Sequence, residues 1–187
     1  MDTRQLTATA TVVGGLALFA DLGLHAFGGL GIGYSVVATV MAVALACAPW
    51  ALRAAGVIAP RGRVPALLGT AVVAVGAGLW VAAFVLLAVD PSAAFTQRLT
   101  PGGSALLALG MVLVGIGVLR SGVLAGWRAW LPLAVGLYFP VQLGLQLGYF
   151  LDGRDASPGP NGLLLGAWGL LWAATGVVAA VRRPVAV

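Results

Sequence analysis

The run GGLALFADLGLHAFGG, residues 14–29, decides how this chain is read. It belongs to an apolar stretch of membrane-helix length, yet it holds Asp21 and the chain's only histidine, His25. A carboxylate placed in hydrocarbon costs at least ~2.5–3.5 kcal/mol on insertion scales, so it must face protein or water. Asp21 and His25 stand at i and i+4 and share one helix face. Gly14, Ala17 and Gly28 fall near that face, giving a small, polar stripe suited to packing against other helices.

The rest of the chain reads the same way. Of 187 residues, 61% are hydrophobic and 8% charged, against roughly 25% charged in a soluble domain. Mean hydropathy is +1.06. Lys and Glu are absent, and Ala, Gly, Val and Leu dominate. That bias is the one expected of a GC-rich bacterial genome. The net charge of +5 comes from arginines scattered between apolar runs, which form no nucleic-acid-binding patch. A lone cysteine, Cys47, rules out an intrachain disulfide. Asp21 interrupts any signal-peptide core, so the first apolar run is expected to be retained as a span.

Pro, Gly and Arg punctuation predicts six spans, at about 7–29, 32–52, 65–89, 103–120, 130–151 and 162–181. The expected fold is all-α: a polytopic membrane protein forming one compact bundle of six transmembrane helices. Alternate connections then hold eight arginines on one side (Arg4; Arg53, Arg61 and Arg63; Arg120 and Arg128; Arg182 and Arg183) against Arg98 and Arg154 on the other. By the positive-inside rule both termini are cytoplasmic, and the expected location is the bacterial inner membrane. Asp90, Asp152 and Asp155 then fall in outer connections. Trp50, Trp127 and Trp130 fit an interfacial aromatic belt near the inner ends of spans 2 and 5. GLWVAA in span 3 and LLWAAT in span 6 are alike enough to raise an inverted repeat, but composition accounts for the likeness.

Span 5 carries a second polar stripe, Tyr138, Gln142, Gln146 and Tyr149, with Pro140 inside it. Proline lacks an N–H and crowds the Gly136 carbonyl, which predicts a kink or an opened turn. At 1.5 Å per residue, Asp21 and His25 lie roughly 4 and 10 Å outward of the centre of span 1, and Gln142 and Gln146 roughly 3 and 9 Å outward of the centre of span 5. Trp80 and Trp168 lie just outward of their span centres, Trp172 near the middle, and Tyr34 at the outer rim of span 2. The expected site is an outward-opening pocket. Asp21 and His25 are its candidate catalytic pair, Gln142 and Gln146 its further polar contacts, and Tyr34, Tyr138, Tyr149, Trp80, Trp168 and Trp172 its aromatic lining.

One histidine and one cysteine cannot build a zinc or bis-histidine haem site, so no metal and no cofactor is expected. GGSAL around Ser104 lacks the following glycine of a rhomboid motif, and His25 precedes it in the wrong order. The expected partner is a membrane lipid or small lipophilic ligand. Asp21 would donate a proton to it, in the manner of a small membrane terpene cyclase, although no motif carries that analogy. A proton-coupled transporter subunit is the second reading. A structural subunit, docked to a larger membrane protein or to its own copy, is the third.

Overall fold

The computed structural model describes residues 2–20, 34–89, 96–151 and 158–181. Those residues are helical throughout, with short turns and no strand. The helices are α1 (Thr3–Leu18), α2 (Tyr34–Ala46), α3 (Ala48–Ala54), α4 (Arg63–Val89), α5 (Thr96–Ser121), α6 (Trp127–Leu151) and α7 (Pro158–Val181). Among the described residues each of the six expected segments is helical, with departures at several ends and one break. The largest end shift is at α5, which starts at Thr96, seven residues before the expected 103, and carries Pro101 inside it.

The first helix begins earlier than expected. Asp2 sits in extended geometry and its Oδ1 accepts the Gln5 amide at 2.7 Å, an N-cap that starts the helix at Thr3. At its other end α1 passes into π geometry at Phe19 and Ala20, immediately before Asp21, which lies outside the described residues together with His25. The second expected span is two helices, broken at Cys47. Pro49 has no N–H to give the Leu45 carbonyl and its ring crowds that carbonyl. The chain turns through a short-range bond, Cys47 N–H to Ala44 O at 3.1 Å, and restarts with Ala51 N–H to Cys47 O at 2.9 Å. Pro132 and Pro140, by contrast, lie inside an uninterrupted α6.

Helices α4 and α5, α5 and α6, α6 and α7, and α1 and α7 pack antiparallel, and the α4–α5 interface is the most extensive. Its seam is a ladder of glycines spaced by seven: Gly62, in the 3-10 turn Pro60–Gly62 that leads into α4, with Gly69 and Gly76 on α4, against Gly117, Gly110 and Gly103 on α5. A Cβ added at Gly69 would lie 2.5 Å from the Gly110 carbonyl oxygen, and one at Gly110 2.8 Å from that of Gly69. The backbones touch, as small residues allow in helix packing without a large hydrophobic driving force. Ser121 closes one end of the seam by accepting the Ala59 amide at 2.9 Å and donating to the Gly117 carbonyl at 2.7 Å. Helices α1 and α7 meet the same way, Gly15 against Gly169 and Ala173, and Gly176 against Ala8 and Val12.

These pairings bring the start of α1, the α3–α4 connection, the end of α5, the start of α6 and the end of α7 to one end of the bundle. Arg4, Arg53, Arg61, Arg63, Arg120 and Arg128 all lie there. Arg98 falls near the start of α5, at the other end; Arg154, Arg182, Arg183, Asp90, Asp152 and Asp155 lie outside the described residues. Every helix exposes large apolar side chains, among them Val13, Val40, Trp50, Val75, Leu109, Val141 and Val177. Trp127 and Trp130 are exposed at the arginine end. Two helical stretches, Pro60–Leu86 of 27 residues and Leu99–Ser121 of 23, are long and apolar enough to cross a membrane.

Candidate functional site

The core between α4, α6 and α7 is aromatic. Trp168 stands at its centre, 0% exposed. Its ring centroid lies 6.4 Å from Trp80, 5.5 Å from Phe139 and 5.9 Å from Trp172, and Trp80 is 5.8 Å from Phe84. All but the tilted Phe139 pair are edge-on, the arrangement the ring quadrupoles favour. The rings fill one another's space.

Their polar handles separate the expected site residues into two groups. Trp80 Nε1 donates to the Thr100 carbonyl and to Ser104 Oγ, both at 3.1 Å. Ser104 in turn donates to the Thr100 carbonyl at 2.9 Å, so this serine anchors a tryptophan. Trp168 Nε1 donates to the Val135 carbonyl at 2.7 Å, in the turn preceding Pro140, and ties α7 to α6 there. Tyr138 donates its hydroxyl to the Leu164 carbonyl at 2.9 Å. These three side chains have used their donors within the bundle.

Gln142 and Trp172 each keep a buried polar atom, an acceptor and a donor respectively, without a partner among the described residues. Gln142 is 2% exposed, and its Oε1 has no hydrogen-bond partner among the described residues. Trp172 Nε1 is likewise buried and unpartnered among them. A buried polar group left unpaired costs about 1–3 kcal/mol, so each such atom marks a place where a partner belongs. The two are not partners for each other. The cross-links Val135–Trp168 and Tyr138–Leu164 set the antiparallel register of α6 and α7. That register places Trp172 level with Leu131, and Gln142 about 16 Å farther from the arginine end at 1.5 Å per residue.

Of the remaining expected residues, Asp21 and His25 lie outside the described residues. Tyr34 opens α2 and Gln146 and Tyr149 lie on α6, but their side chains are outside what the structure describes. The structure thus brings Trp80, Trp168 and Trp172 into one cluster and sets Tyr138 and Gln142 along α6 beside it. Phe84 and Phe139 complete the cluster without having been anticipated. Phe84 follows Trp80 by four residues, which was a usable signal; Phe139 adjoins Tyr138 and carried none. Two surface grooves open at the arginine end, one between α3 and α4 and one beside Trp127 and Val178, and neither is lined by the expected site residues. No group of three or more metal-ligating side chains occurs among the described residues.

Comparison with protein-family models, with curated proteins and with solved structures yields no match.

Proposed function

We propose that this chain is a six-span protein of a bacterial cytoplasmic membrane that holds a small lipophilic molecule in the outer half of its bundle, with Gln142 accepting a hydrogen bond from it. The observation that carries this reading is the buried Oε1 of Gln142, which has no hydrogen-bond partner among the described residues. It sits on the aromatic side of α6, one turn outward of Tyr138, whose own hydroxyl is already bonded. A lipophilic molecule with a single hydroxyl or amine would satisfy that oxygen while its apolar body lay against the rings.

The membrane setting is supported by apolar side chains exposed on every helix and by the gathering of arginines at one end. That end is then cytoplasmic, and both ends of this chain face the cytoplasm. Asp21 and His25 lie outside the described residues and are joined to the site by their i, i+4 spacing in the sequence. We assign these two the proton chemistry of the site, if the bound molecule is transformed as well as held.

The test is Gln142→Leu. An orphaned acceptor replaced by an apolar group of similar size should leave the empty protein as stable as before, or more stable by up to ~1 kcal/mol. The same change leaves the donor of a bound molecule unpaired, so retention of the copurifying molecule, followed by mass spectrometry, should weaken about ten-fold or more. A Gln142→Leu protein destabilised by ~1–3 kcal/mol would show that the amide is tied into the fold, and unchanged retention would remove it from the site. Asp21→Asn separates holding from chemistry: turnover lost with binding kept supports catalysis, and turnover kept removes Asp21 as the acid.

A further inference from the structure

The groove between α3 and α4 has a composition of its own. Arg53, near the end of α3, and Arg63, the first residue of α4, line it at the arginine end of the bundle. Ile58, Ala66, Leu67 and Thr70 line it, and its volume is about 290 Å³. On α4 the lining residues step from Arg63 to Ala66, Leu67 and Thr70, a single helical stripe. It runs from the arginine end toward the middle of the bundle over about 10 Å at 1.5 Å per residue. Thr70 donates its hydroxyl back to the Ala66 carbonyl at 2.7 Å, so this wall adds no donor to compete with the arginines.

The strap joining the two arginines is held in place. Helix α3 ends in a paired cap, Val57 N–H to Leu52 O at 3.1 Å and Gly56 N–H to Arg53 O at 2.9 Å. Gly56 takes φ +65°, a left-handed turn that glycine adopts without strain. Ala59 is fastened to Ser121 on α5. Neither arginine has an ion-pair or side-chain hydrogen-bond partner among the described residues. Asp2 carries the sole carboxylate side chain among those residues, and it lies 3.9 Å from Arg4. The groove therefore joins two arginines to an apolar stripe, with no counter-charge in it from the described residues.

We infer that this groove binds an anionic phospholipid of the cytoplasmic leaflet, its phosphate between Arg53 and Arg63 and the upper part of an acyl chain along Ala66, Leu67 and Thr70. This inference rests on the membrane orientation proposed above. Guanidinium forks match phosphate oxygens, and basic pockets between helices on the cytoplasmic side recognise anionic headgroups. The apolar stripe selects a lipid over a free anion, because only a lipid covers it.

The experiment reconstitutes the protein in phosphatidylcholine bilayers doped with phosphatidylglycerol and counts retained lipids by native mass spectrometry. The wild type should retain phosphatidylglycerol in preference to phosphatidylcholine. The double variant Arg53→Gln/Arg63→Gln should lose about thirty-fold in affinity for it, from about 1 kcal/mol per arginine. The control Arg61→Gln/Arg120→Gln removes the same charge from the same end, outside the groove, and should keep the preference. Equal losses in both double variants overturn the site, leaving a diffuse surface charge. Displacement of the lipid by excess inorganic phosphate overturns the lipid assignment in favour of a free-anion site. Insertion without preference for phosphatidylglycerol overturns this inference alone, whereas failure to enter the bilayer overturns it together with the membrane reading.

Discussion

Trp168→Ala is expected to destabilise the bundle by about 3 kcal/mol, the low end of the range for truncating a large aromatic in a soluble core. The lower figure follows from the setting. Lipid chains are as apolar as the interior, so the transfer part of the cost shrinks, while the cavity and the lost packing remain. Trp168 touches three other rings and binds the Val135 carbonyl, so its removal opens a void among Trp80, Phe139 and Trp172 and unlinks α7 from α6. Trp168→Phe keeps most of the ring and loses only the Nε1 bond, and should cost about 1 kcal/mol from that bond, beyond a smaller loss of packing. Unfolding by denaturing detergent, followed by circular dichroism, measures both. A loss below 1 kcal/mol for the alanine variant would mean the cluster is loosely filled.

Gly69→Ala is expected to cost about 2–3 kcal/mol, the upper part of the range for overpacking. The new methyl would meet the Gly110 carbonyl oxygen at 2.5 Å and the Val114 amide nitrogen at 2.7 Å. Both are backbone atoms and cannot turn aside as a side-chain tip does. The helices must separate, and separation at the middle rung also lifts the Gly62–Gly117 and Gly76–Gly103 rungs. Gly78→Ala is the matched control on the same helix. Nothing lies within 4 Å of its added Cβ, and alanine is the better helix former by about 1 kcal/mol, so that variant should be as stable as the wild type or slightly more so. Equal behaviour of the two would contradict the zipper.

The all-helical fold and most helix positions were legible in the sequence, because long apolar runs separated by Pro, Gly and Arg leave few alternatives. What escaped has physical reasons. The break at Cys47 follows from Pro49, but Pro132 and Pro140 are carried within α6. A proline predicts a weakness, and the surrounding helices decide whether the helix parts there. The spacing of Gly62, Gly69 and Gly76, and of Gly103, Gly110 and Gly117, was visible in the letters. Its meaning was not, because a seam needs two helices whose adjacency and register only the fold supplies.

The candidate site divides in the same manner. Gln142 was marked by its place on a polar stripe, and the structure buries it with an acceptor that has no partner among the described residues. Trp80 and Trp168 were read as lining for a ligand, yet their N–H groups answer backbone carbonyls at Thr100 and Val135. Every residue carries such a carbonyl, so no residue type announces the partner.

Both functional proposals depend on the arginine end lying in the cytoplasm and on the helices crossing the bilayer. Labelling of single cysteines by a membrane-impermeant maleimide tests this most directly. In a Cys47→Ala background, Ala125→Cys in the α5–α6 connection should react in inside-out vesicles and stay protected in right-side-out ones. Ser92→Cys in the α4–α5 connection should show the reverse. Reaction of both positions from the same face would contradict the account.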